Sequence, residues 1–386
     1  MGCAGNTLTY LQGNSANSSP TAIGSVVTQN QQSTKTPENH DLPLVSVIVP
    51  CRNEERFIAI CMSSLLANDY PSHRLEVIAV DGDSNDRTRA VLESLVHQNP
   101  AVKLLHNPKR IMPAGANLGI QRARGQVIMI IGAHARVAPD YISRCVKCLL
   151  EYGADNVGGV MVTIPQREGI VGHGIVACLS HRFGVGNAYF RIHSDQPRWV
   201  DTVFGGCYRR EVFERIGQFN ELLVCSQDME FNQRLNKCGG KILFVPDIVS
   251  YYFARSDLKS FCAHNFRNGV WATLPFAYVD GMPVRPRHLI PLGFVVSVVM
   301  SALLAIRLWF FLWLLLAILG SYSVCAVAAA AQIAWRKRNL KFFFLMPLLF
   351  SLLHFGYGMG SVCGVLNVLR LRVARLFSAN QAPAGV

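Results

Sequence analysis

The chain has 386 residues, of which 51% are hydrophobic and only 16% are charged. This length predicts two to three domain-sized units, and this balance excludes a disordered chain or a fibrous repeat. The formal net charge of +13 is unevenly distributed, because ten Lys and Arg residues and no acidic residue follow Asp280. In residues 1–280, 27 basic residues stand against 24 acidic ones. The excess positive charge therefore flanks an apolar C-terminal third, which favours contact with anionic membrane lipids over contact with nucleic acid.

The first 43 residues are rich in Ser, Thr, Asn and Gln and contain no apolar run typical of a secretory signal. We predict a disordered polar tail over residues 1–43, followed by a globular part that stays in the reducing cytoplasm.

From residue 44, short apolar runs alternate with helical patterns. The predicted strands cover residues 45–49, 75–80, 102–105 and 127–131, and the predicted helices cover about 54–68, 86–96, 114–123 and 139–152. Such alternation implies right-handed crossovers, so we expect an α/β domain over residues 44–255 with a mostly parallel sheet and helices on both faces. In a sheet of this kind, ligands bind beyond the carboxyl ends of the strands.

Three apolar stretches, residues 289–306, 308–335 and 342–369, close the chain. Each is long enough to cross a hydrocarbon core of about 30 Å. We therefore predict an amphipathic interface segment over residues 256–288, and then a membrane region over residues 289–369.

A basic tail over residues 370–386 is expected to follow the membrane region. The basic loop over residues 336–341 marks a cytoplasmic connection, so the first two apolar stretches should form a hairpin. A third full span would leave Arg370, Arg372 and Arg375 outside, against the positive-inside rule. The sequence is therefore consistent with either two or three membrane spans.

The end of the second predicted strand carries a carboxylate, Asp81, which runs into the segment Gly82 to Thr88. Helix capping explains Ser84 and Asp86 in that segment. It does not explain an acid at the end of an apolar run, where the carboxylate can accept hydrogen bonds from a nucleotide base or ribose.

Several motifs in a fixed order resemble those of the family 2 glycosyltransferases over about residues 44–280. They are the strand ending at Pro50 with Asn53-Glu54, Val80-Asp81, Ala116-Asn117-Leu118-Gly119, Ala133-His134-Ala135, Phe204-Gly205-Gly206 and Gln227-Asp228-Met229-Glu230. The membrane part is similar to that of exopolysaccharide glucosyltransferases of the succinoglycan type. The resemblance implies a nucleotide-sugar-binding fold of the GT-A type, inverting transfer and a divalent metal.

The resemblance also implies which residues bind the donor. Those expected to bind the nucleotide sugar are Pro50, Glu54, Asp81, Asn117, Gly205 and Gly206. The two glycines would let the backbone approach the ligand closely. The alternatives are an acid in the first turn of a helix for Glu54, a polar helical residue for Asn117 and an ordinary turn for the glycines.

Asp228 matches the catalytic base of the family. Inverting transfer needs one carboxylate beside the acceptor hydroxyl. The alternative is an acid in the first turn of a helix. The family places Glu before this Asp, whereas this sequence has Gln227.

The expected metal site departs from the family pattern of Asp-x-Asp or Asp-x-His, because Gly132 stands in the first position before His134. One imidazole beside phosphate oxygens is a poor site for Mg²⁺, whereas Mn²⁺ tolerates imidazole better. The sequence thus predicts that His134 is the remaining ligand and that any divalent metal is Mn²⁺ rather than Mg²⁺.

These observations predict a multi-pass enzyme of the inner (cell) membrane with its catalytic domain in the cytoplasm. It would transfer a sugar from a nucleotide-sugar donor, a UDP-sugar, to a lipid-linked glycan in exopolysaccharide or cell-surface polysaccharide biosynthesis. Processive polymerisation is disfavoured, because the motif Gln-x-x-Arg-Trp is missing and Arg267 and Trp271 are separated. The alternatives are a polyprenyl-phosphate sugar synthase and a catalytically silent scaffold.

Overall fold

The computed structural model describes residues 42–192, 195–279 and 282–380. The predicted polar tail lies outside the described residues except for its last two positions.

The first half of the domain has the predicted alternating pattern. The strands are β1 (Val45–Cys51), β2 (Leu75–Asp81), β3 (Val102–His106) and β4 (Val127–Ile130). The helices are α1 (Ile58–Leu66), α2 (Thr88–Gln98), α3 (Met112–Arg122) and α4 (Tyr141–Glu151). The four strands are parallel in the order β3-β2-β1-β4, which confirms the predicted α/β architecture.

The second half of the sheet is mixed, which the prediction of a mostly parallel sheet did not include. Its strands are β5 (Ala135–Val137), β6 (Asn156–Pro165), β7 (Arg198–Trp199), β8 (Phe204–Arg209) and β9 (Ile242–Ala254). Strand β8 runs antiparallel to both β4 and β6, β6 is parallel to β9, and β5 and β7 are antiparallel to β9. A long segment, residues 166–203, connects β6 to β8, and β8 returns antiparallel to β6.

Alternate residues of the central strands enter two separate cores. Val45, Val47 and Val49 pack on one face with α1, α2 and α4, whereas Ile48 packs on the other face with α3. That second face also carries α8 (Arg210–Ile216) and α9 (Gln227–Lys237). Every residue of β1 and β2 is buried, as expected for strands that are covered on both faces.

Three helices long and apolar enough to be candidate membrane spans follow the sheet. They are α11 (Ile290–Ala305), preceded by a 3₁₀ turn from Pro286, α12 (Phe310–Arg336) and α13 (Lys341–Asn380). Helix α13 continues through most of the predicted basic tail, because residues 370–380 contain no Pro or Gly to end it. The expected tail at residue 370 is therefore helical to Asn380.

The glycine-rich part of α13 is a packing surface. It lies against α10 (Leu258–Thr273), where a Cβ atom on Gly269 would come within 1.9 Å of the Tyr357 carbonyl oxygen. A Cβ atom on Gly360 would come within 2.0 Å of the Phe266 carbonyl oxygen. The two backbones are therefore in direct contact, which only glycine permits at these positions.

Helix α10 thus packs on other helices, and the interface segment expected over residues 256–288 stays a prediction. Phe261 is buried in a cluster with residues of α12 and α13, whereas Phe266 is 40% exposed. The shorter helix α5 (Ile170–Leu179) joins the same cluster at the beginning of α13.

A buried carboxylate, Glu76, ties the amino ends of the central strands together. It accepts hydrogen bonds from the Ser46 hydroxyl at 2.6 Å and the Arg124 backbone N–H at 2.6 Å, and Lys103 Nζ lies 2.8 Å from its second oxygen. Burial alone would raise the pKa of Glu76, but the hydrogen bonds from Lys103, Ser46 and Arg124 lower it to about 2. The ionised form of Glu76 is therefore stabilised in the folded state.

We predict that Glu76→Gln lowers the free energy of unfolding by roughly 3 kcal/mol at neutral pH. The folded-state pKa lies below the ordinary value of 4.5, so this contribution is complete above about pH 5 and is lost as the pH falls towards 2. Thermal unfolding of both proteins across this pH range measures the difference. The control is Glu93→Gln, whose exposed ion pair with Arg89 should contribute less than about 1 kcal/mol. Equal, pH-independent losses in the two variants would contradict the prediction.

Candidate functional site

A cavity of about 380 Å³ opens at the carboxyl ends of β1 and β4. The strand order reverses between these two strands, and such a reversal creates the crevice in which α/β proteins bind ligands. The structure brings most of the predicted site residues to this one cavity. They are Pro50, Glu54, Gly132, His134, Gly205, Gly206 and Asp228.

Two predicted residues do not line the cavity. Asn117 is buried on α3, where its Oδ1 accepts the Phe219 N–H at 2.9 Å and its Nδ2 donates to the Phe219 carbonyl at 2.9 Å. Asn117 thus holds Phe219, which lines the cavity, and a direct nucleotide-binding role of Asn117 stays a prediction. Asp81 is fully buried at the end of β2, beside the lining residue Gly82, and accepts the Ser84 N–H at 3.3 Å.

The loops after β1 and β2 are bound to each other. The Ser84 hydroxyl accepts the Asn53 N–H at 2.9 Å, and the Thr88 hydroxyl accepts the Glu54 N–H at 2.7 Å. Glu54 precedes α1, which begins only at Ile58, so it is not the first-turn helix acid that was the alternative. Its carboxylate is instead available to the cavity.

The loop after β3 contributes residues that the motif analysis did not identify. Arg110 lines the cavity with a positive φ of 61°, and its guanidinium pairs with Asp83, with Nε at 2.8 Å from Oδ2. The other lining residues that were missed include Arg52, Asn107, Met112, Tyr208 and Phe219. Four of these residues follow the carboxyl ends of β1 and β3, namely Arg52, Asn107, Arg110 and Met112. Their positions directly after predicted strands could therefore have identified them as candidate lining residues.

Strand β8 brings its backbone to the cavity wall. Gly205 has a φ of +59°, which favours glycine, and its carbonyl accepts a hydrogen bond from the Tyr141 hydroxyl at 3.0 Å. A Cβ atom on Gly206 would lie 2.4 Å from the Tyr208 ring. Both glycines therefore lie within the strand rather than in the ordinary turn that was the alternative.

His134 has one carboxylate beside it. Its Nδ1 lies 3.2 Å from Glu54 Oε1. A Cβ atom on Gly132 would have only His134 Cε1 within 4 Å, at 4.0 Å, and Gly132 does not have a positive φ. In the described part of the chain, no group of three or more His, Cys, Asp and Glu side chains is arranged to hold a metal ion. The pair His134 and Glu54 thus does not by itself form a complete site for a hard divalent cation.

Asp228 lies in the first turn of α9, directly after Ser226, which has a left-handed φ of 64°. The side chain is accessible from the cavity, but the surrounding protein limits its hydration. Desolvation raises the pKa of the Asp228 carboxyl, and the hydrogen bond that the Met229 N–H donates to Oδ1 at 2.9 Å opposes this shift. A carboxylate with a raised pKa is suited to accept a proton.

The neighbouring acid Glu230 has a structural role, unlike Asp228. It is buried and forms an ion pair with Arg234, with Nε at 2.7 Å from Oε1. The Arg234 guanidinium also donates to the carbonyls of Ile216 and Gln218. Glu230 therefore stabilises the turn before α9 and does not line the cavity.

Gln227 is a lining residue with an unused polar atom. Its Nε2 lies 3.1 Å from the Met112 sulfur, and its Oε1 is buried without a hydrogen-bond partner among the described residues. A buried acceptor of this kind is available to a ligand hydroxyl.

The sequence profile of Glycosyl transferase family 2 matches residues 46–217, which hold β1 to β4 and most of the cavity wall. A glucuronosyltransferase of Methanococcus voltae, whose name describes a dolichyl N-acetylglucosaminyl phosphate acceptor, is 27% identical over 67% of this chain and 82% of its own length. The succinoglycan biosynthesis protein ExoA of Rhizobium meliloti is 29% identical over 68% of this chain and 78% of its own length.

Among solved structures, the chain is similar to a mannosyltransferase of Pyrobaculum calidifontis in complex with GDP-Man and Mn²⁺. The TM-score is 0.54 at 20% identity, over 86% of this chain and 89% of the other. This similarity concerns the fold, and it agrees with the GT-A type that the motifs implied.

Proposed function

From the premise that this chain is a family 2 glycosyltransferase, we propose that it transfers a sugar from a nucleotide donor, a UDP-sugar, to a lipid-linked glycan in surface or secreted polysaccharide assembly. The observation that carries this proposal is the meeting of Glu54, Gly205 and Asp228 in one cavity at the reversal of strand order. Two relatives support the acceptor class, since one is named for a dolichyl-linked acceptor and the other for succinoglycan biosynthesis.

In this proposal Asp228 is the general base. Its carboxylate accepts the proton of the acceptor hydroxyl while the hydroxyl oxygen bonds to the anomeric carbon of the donor. The bond between that carbon and the diphosphate oxygen breaks on the opposite side, so the configuration inverts and the nucleoside diphosphate leaves. The raised pKa of Asp228 favours this proton transfer. Gln227 Oε1 provides an acceptor for a sugar hydroxyl.

Helices α10 and α13, which we call the membrane-directed helices, connect to this site. The Ser226 hydroxyl, two residues before Asp228, donates to the Trp271 carbonyl of α10 at 3.1 Å. Because α10 packs on α13, an acceptor held at a lipid surface along these helices would enter next to the proposed base. This arrangement supports a lipid-linked rather than a freely soluble acceptor.

The proposal is tested with membranes that contain the enzyme, a panel of radiolabelled nucleotide sugars and extracted lipid acceptor. We expect transfer from one UDP-sugar to a glycan-bearing lipid, and a loss of about 10²–10⁴-fold in Asp228→Asn with donor binding retained. The control is Glu230→Gln, which should affect stability more than turnover. Labelled lipid that carries only a monosaccharide phosphate would instead indicate a polyprenyl-phosphate sugar synthase. Near-normal turnover in Asp228→Asn would remove this residue from the role of base.

For the cofactor we propose weak metal dependence with a preference for Mn²⁺ over Mg²⁺. His134 and Glu54 supply one imidazole and one carboxylate, and imidazole suits Mn²⁺ better than Mg²⁺. A bound metal would stabilise negative charge on the departing diphosphate. Gly132 leaves the place of the usual acidic ligand open.

We predict that Gly132→Asp tightens Mn²⁺ binding at least about tenfold, because it adds a carboxylate where backbone and neighbours permit one. Mn²⁺ affinity is measured by paramagnetic resonance of the free ion, so the result does not depend on activity. Gly132→Asn is the matched control of similar volume without charge. Tight Mg²⁺-specific binding in the wild type would show that other ligands complete the site.

We further propose that α13 lies in the plane of the membrane, although its length and composition make it a candidate span. Leu345 and Leu349 near its beginning pack against Gly174 of α5. Near its end, Arg372 and Arg375 donate to the carbonyls of Phe276 and Ala277 at 3.2 and 2.9 Å. These contacts lie about 45 Å apart along the helix, and both join it to segments of the transferase part.

The other side of α13 exposes apolar side chains along its whole length. They are Phe344, Leu348, Met359, Leu366, Leu369, Val373 and Phe377. A helix with one face on a protein domain and an exposed apolar face is suited to lie at a lipid surface. This orientation keeps the C-terminal arginines on the cytoplasmic side, so the conflict with the positive-inside rule disappears.

We predict that reporters fused after Lys341 and after Val386 both behave as cytoplasmic, whereas a reporter fused after Arg307, in the hairpin turn, behaves as external. Alkaline phosphatase and fluorescent-protein fusions measure the two sides. An external reporter at Val386 with a cytoplasmic one at Lys341 would mean that α13 spans the membrane.

A further inference from the structure

A group of basic side chains lies between the cavity and the membrane-directed helices. Arg191 belongs to the short helix α7 (Tyr189–Ile192), Arg255 follows β9, and His264 and Arg267 belong to α10. We call these four residues the basic cluster. None of them was assigned a role in the proposed transfer.

Arg191 is a partly buried member of the cluster. Its Cζ lies 5.7 Å from the centre of the Tyr252 ring, and the Tyr252 ring centre lies 5.2 Å from that of His134. Its Nη1 is buried and has no hydrogen-bond partner in the described ranges. Burial lowers the pKa of Arg191, which shows that the charged form is poorly solvated here. A buried guanidinium without an acid is unfavourable unless an anion joins it.

His264 connects the other members. Arg267 Nη2 lies 3.4 Å from His264 Nδ1, so the arginine donates and the imidazole accepts. Burial, together with the positive charges of Arg255, Arg267 and Arg191, lowers the pKa of His264 to about 3. His264 is therefore neutral at physiological pH, and it holds Arg267 without adding charge.

The three arginines of the cluster lack acidic partners. Across the residues that the structure describes, no Asp or Glu oxygen lies within 4.0 Å of the guanidinium groups of Arg191, Arg255 and Arg267. By contrast, Arg110 and Arg234 near the same cavity each pair with a carboxylate. Three guanidinium groups without an acidic partner are therefore found in this cluster.

We propose that Arg191, Arg255 and Arg267 form a binding site for a phosphate or diphosphate ester. Guanidinium groups bind phosphate oxygens through paired N–H donors, and a partly desolvated site strengthens these bonds. The inference rests on the proposed function, because two reactants of that transfer carry such groups. One is the diphosphate of the nucleotide donor, and the other is the phosphate that links the acceptor glycan to its lipid.

The test uses the purified full chain in neutral detergent and two probes. UDP binding is measured by calorimetry, and binding of a radiolabelled polyprenyl diphosphate is measured by retention on the immobilised protein. We expect Arg191→Gln and Arg267→Gln each to weaken one of the two probes at least about tenfold. Loss of UDP binding assigns the site to the donor, and loss of lipid binding assigns it to the acceptor. Wild-type binding of the affected probe should weaken as salt concentration rises.

The matched control is Arg144→Gln on α4, whose guanidinium already pairs with Asp140, and both probes should bind within twofold of the wild type. If Arg191→Gln does not fold, the more exposed Arg267 and the partly exposed Arg255 provide the deciding variants. Binding of both probes within twofold of the wild type in folded cluster variants would overturn the proposal. Probe binding requires no turnover, so this test can fail or succeed independently of the proposed function. Binding of the probes without sugar transfer from any donor would contradict the proposed function but not the binding site.

Discussion

The contact between α10 and α13 fixes the apolar C-terminal helices relative to the cavity. Gly269 on one helix and Gly360 on the other allow the two backbones to touch, and a single Cβ atom at either position would separate the helices. Helix α10 follows β9 directly and accepts a hydrogen bond from Ser226 at Trp271. The first turn of α9, which carries Asp228, is therefore fixed relative to the apolar helices by short connections.

The loops around the cavity are held in unusual backbone conformations. Asn53, Asp83, Arg110 and Ser226 all have positive φ values, and each lies in a loop that adjoins the cavity. Such conformations are unfavourable for residues other than glycine and persist only where neighbouring contacts maintain them. Here the contacts are the bonds between the loops, such as that from Arg110 to Asp83. The unfavourable backbone conformations therefore lie at the site itself, and the sheet from which these loops extend holds the loops in place.

The strands β1 to β4, their helices and the position of Asp228 could be predicted because each depends on local pattern or on a short motif. The antiparallel half could not, since the direction of β8 depends on a long segment with no regular period. The contact of Asn117 with Phe219 could not be predicted, because a helical position does not reveal which side of the helix meets the ligand. Arg191 and His264 were missed because their importance arises from side chains that lie far away in sequence. The helical end of α13 was missed because its arginines were interpreted as a tail.

Gly132 and the basic cluster are consistent with one electrostatic requirement, the stabilisation of a leaving diphosphate. An aspartate at residue 132 would add negative charge beside His134, which lies within electrostatic range of the cluster. That charge would weaken anion binding by the arginines unless a metal ion neutralised it. In our proposal, glycine at residue 132 leaves the guanidinium groups of the cluster to act on phosphate oxygens directly. An acidic residue 132 with a bound metal and a neutral residue 132 with unpaired arginines are thus two alternative ways to stabilise the diphosphate. A chain that uses the arginines gains little from a carboxylate at residue 132 without the metal.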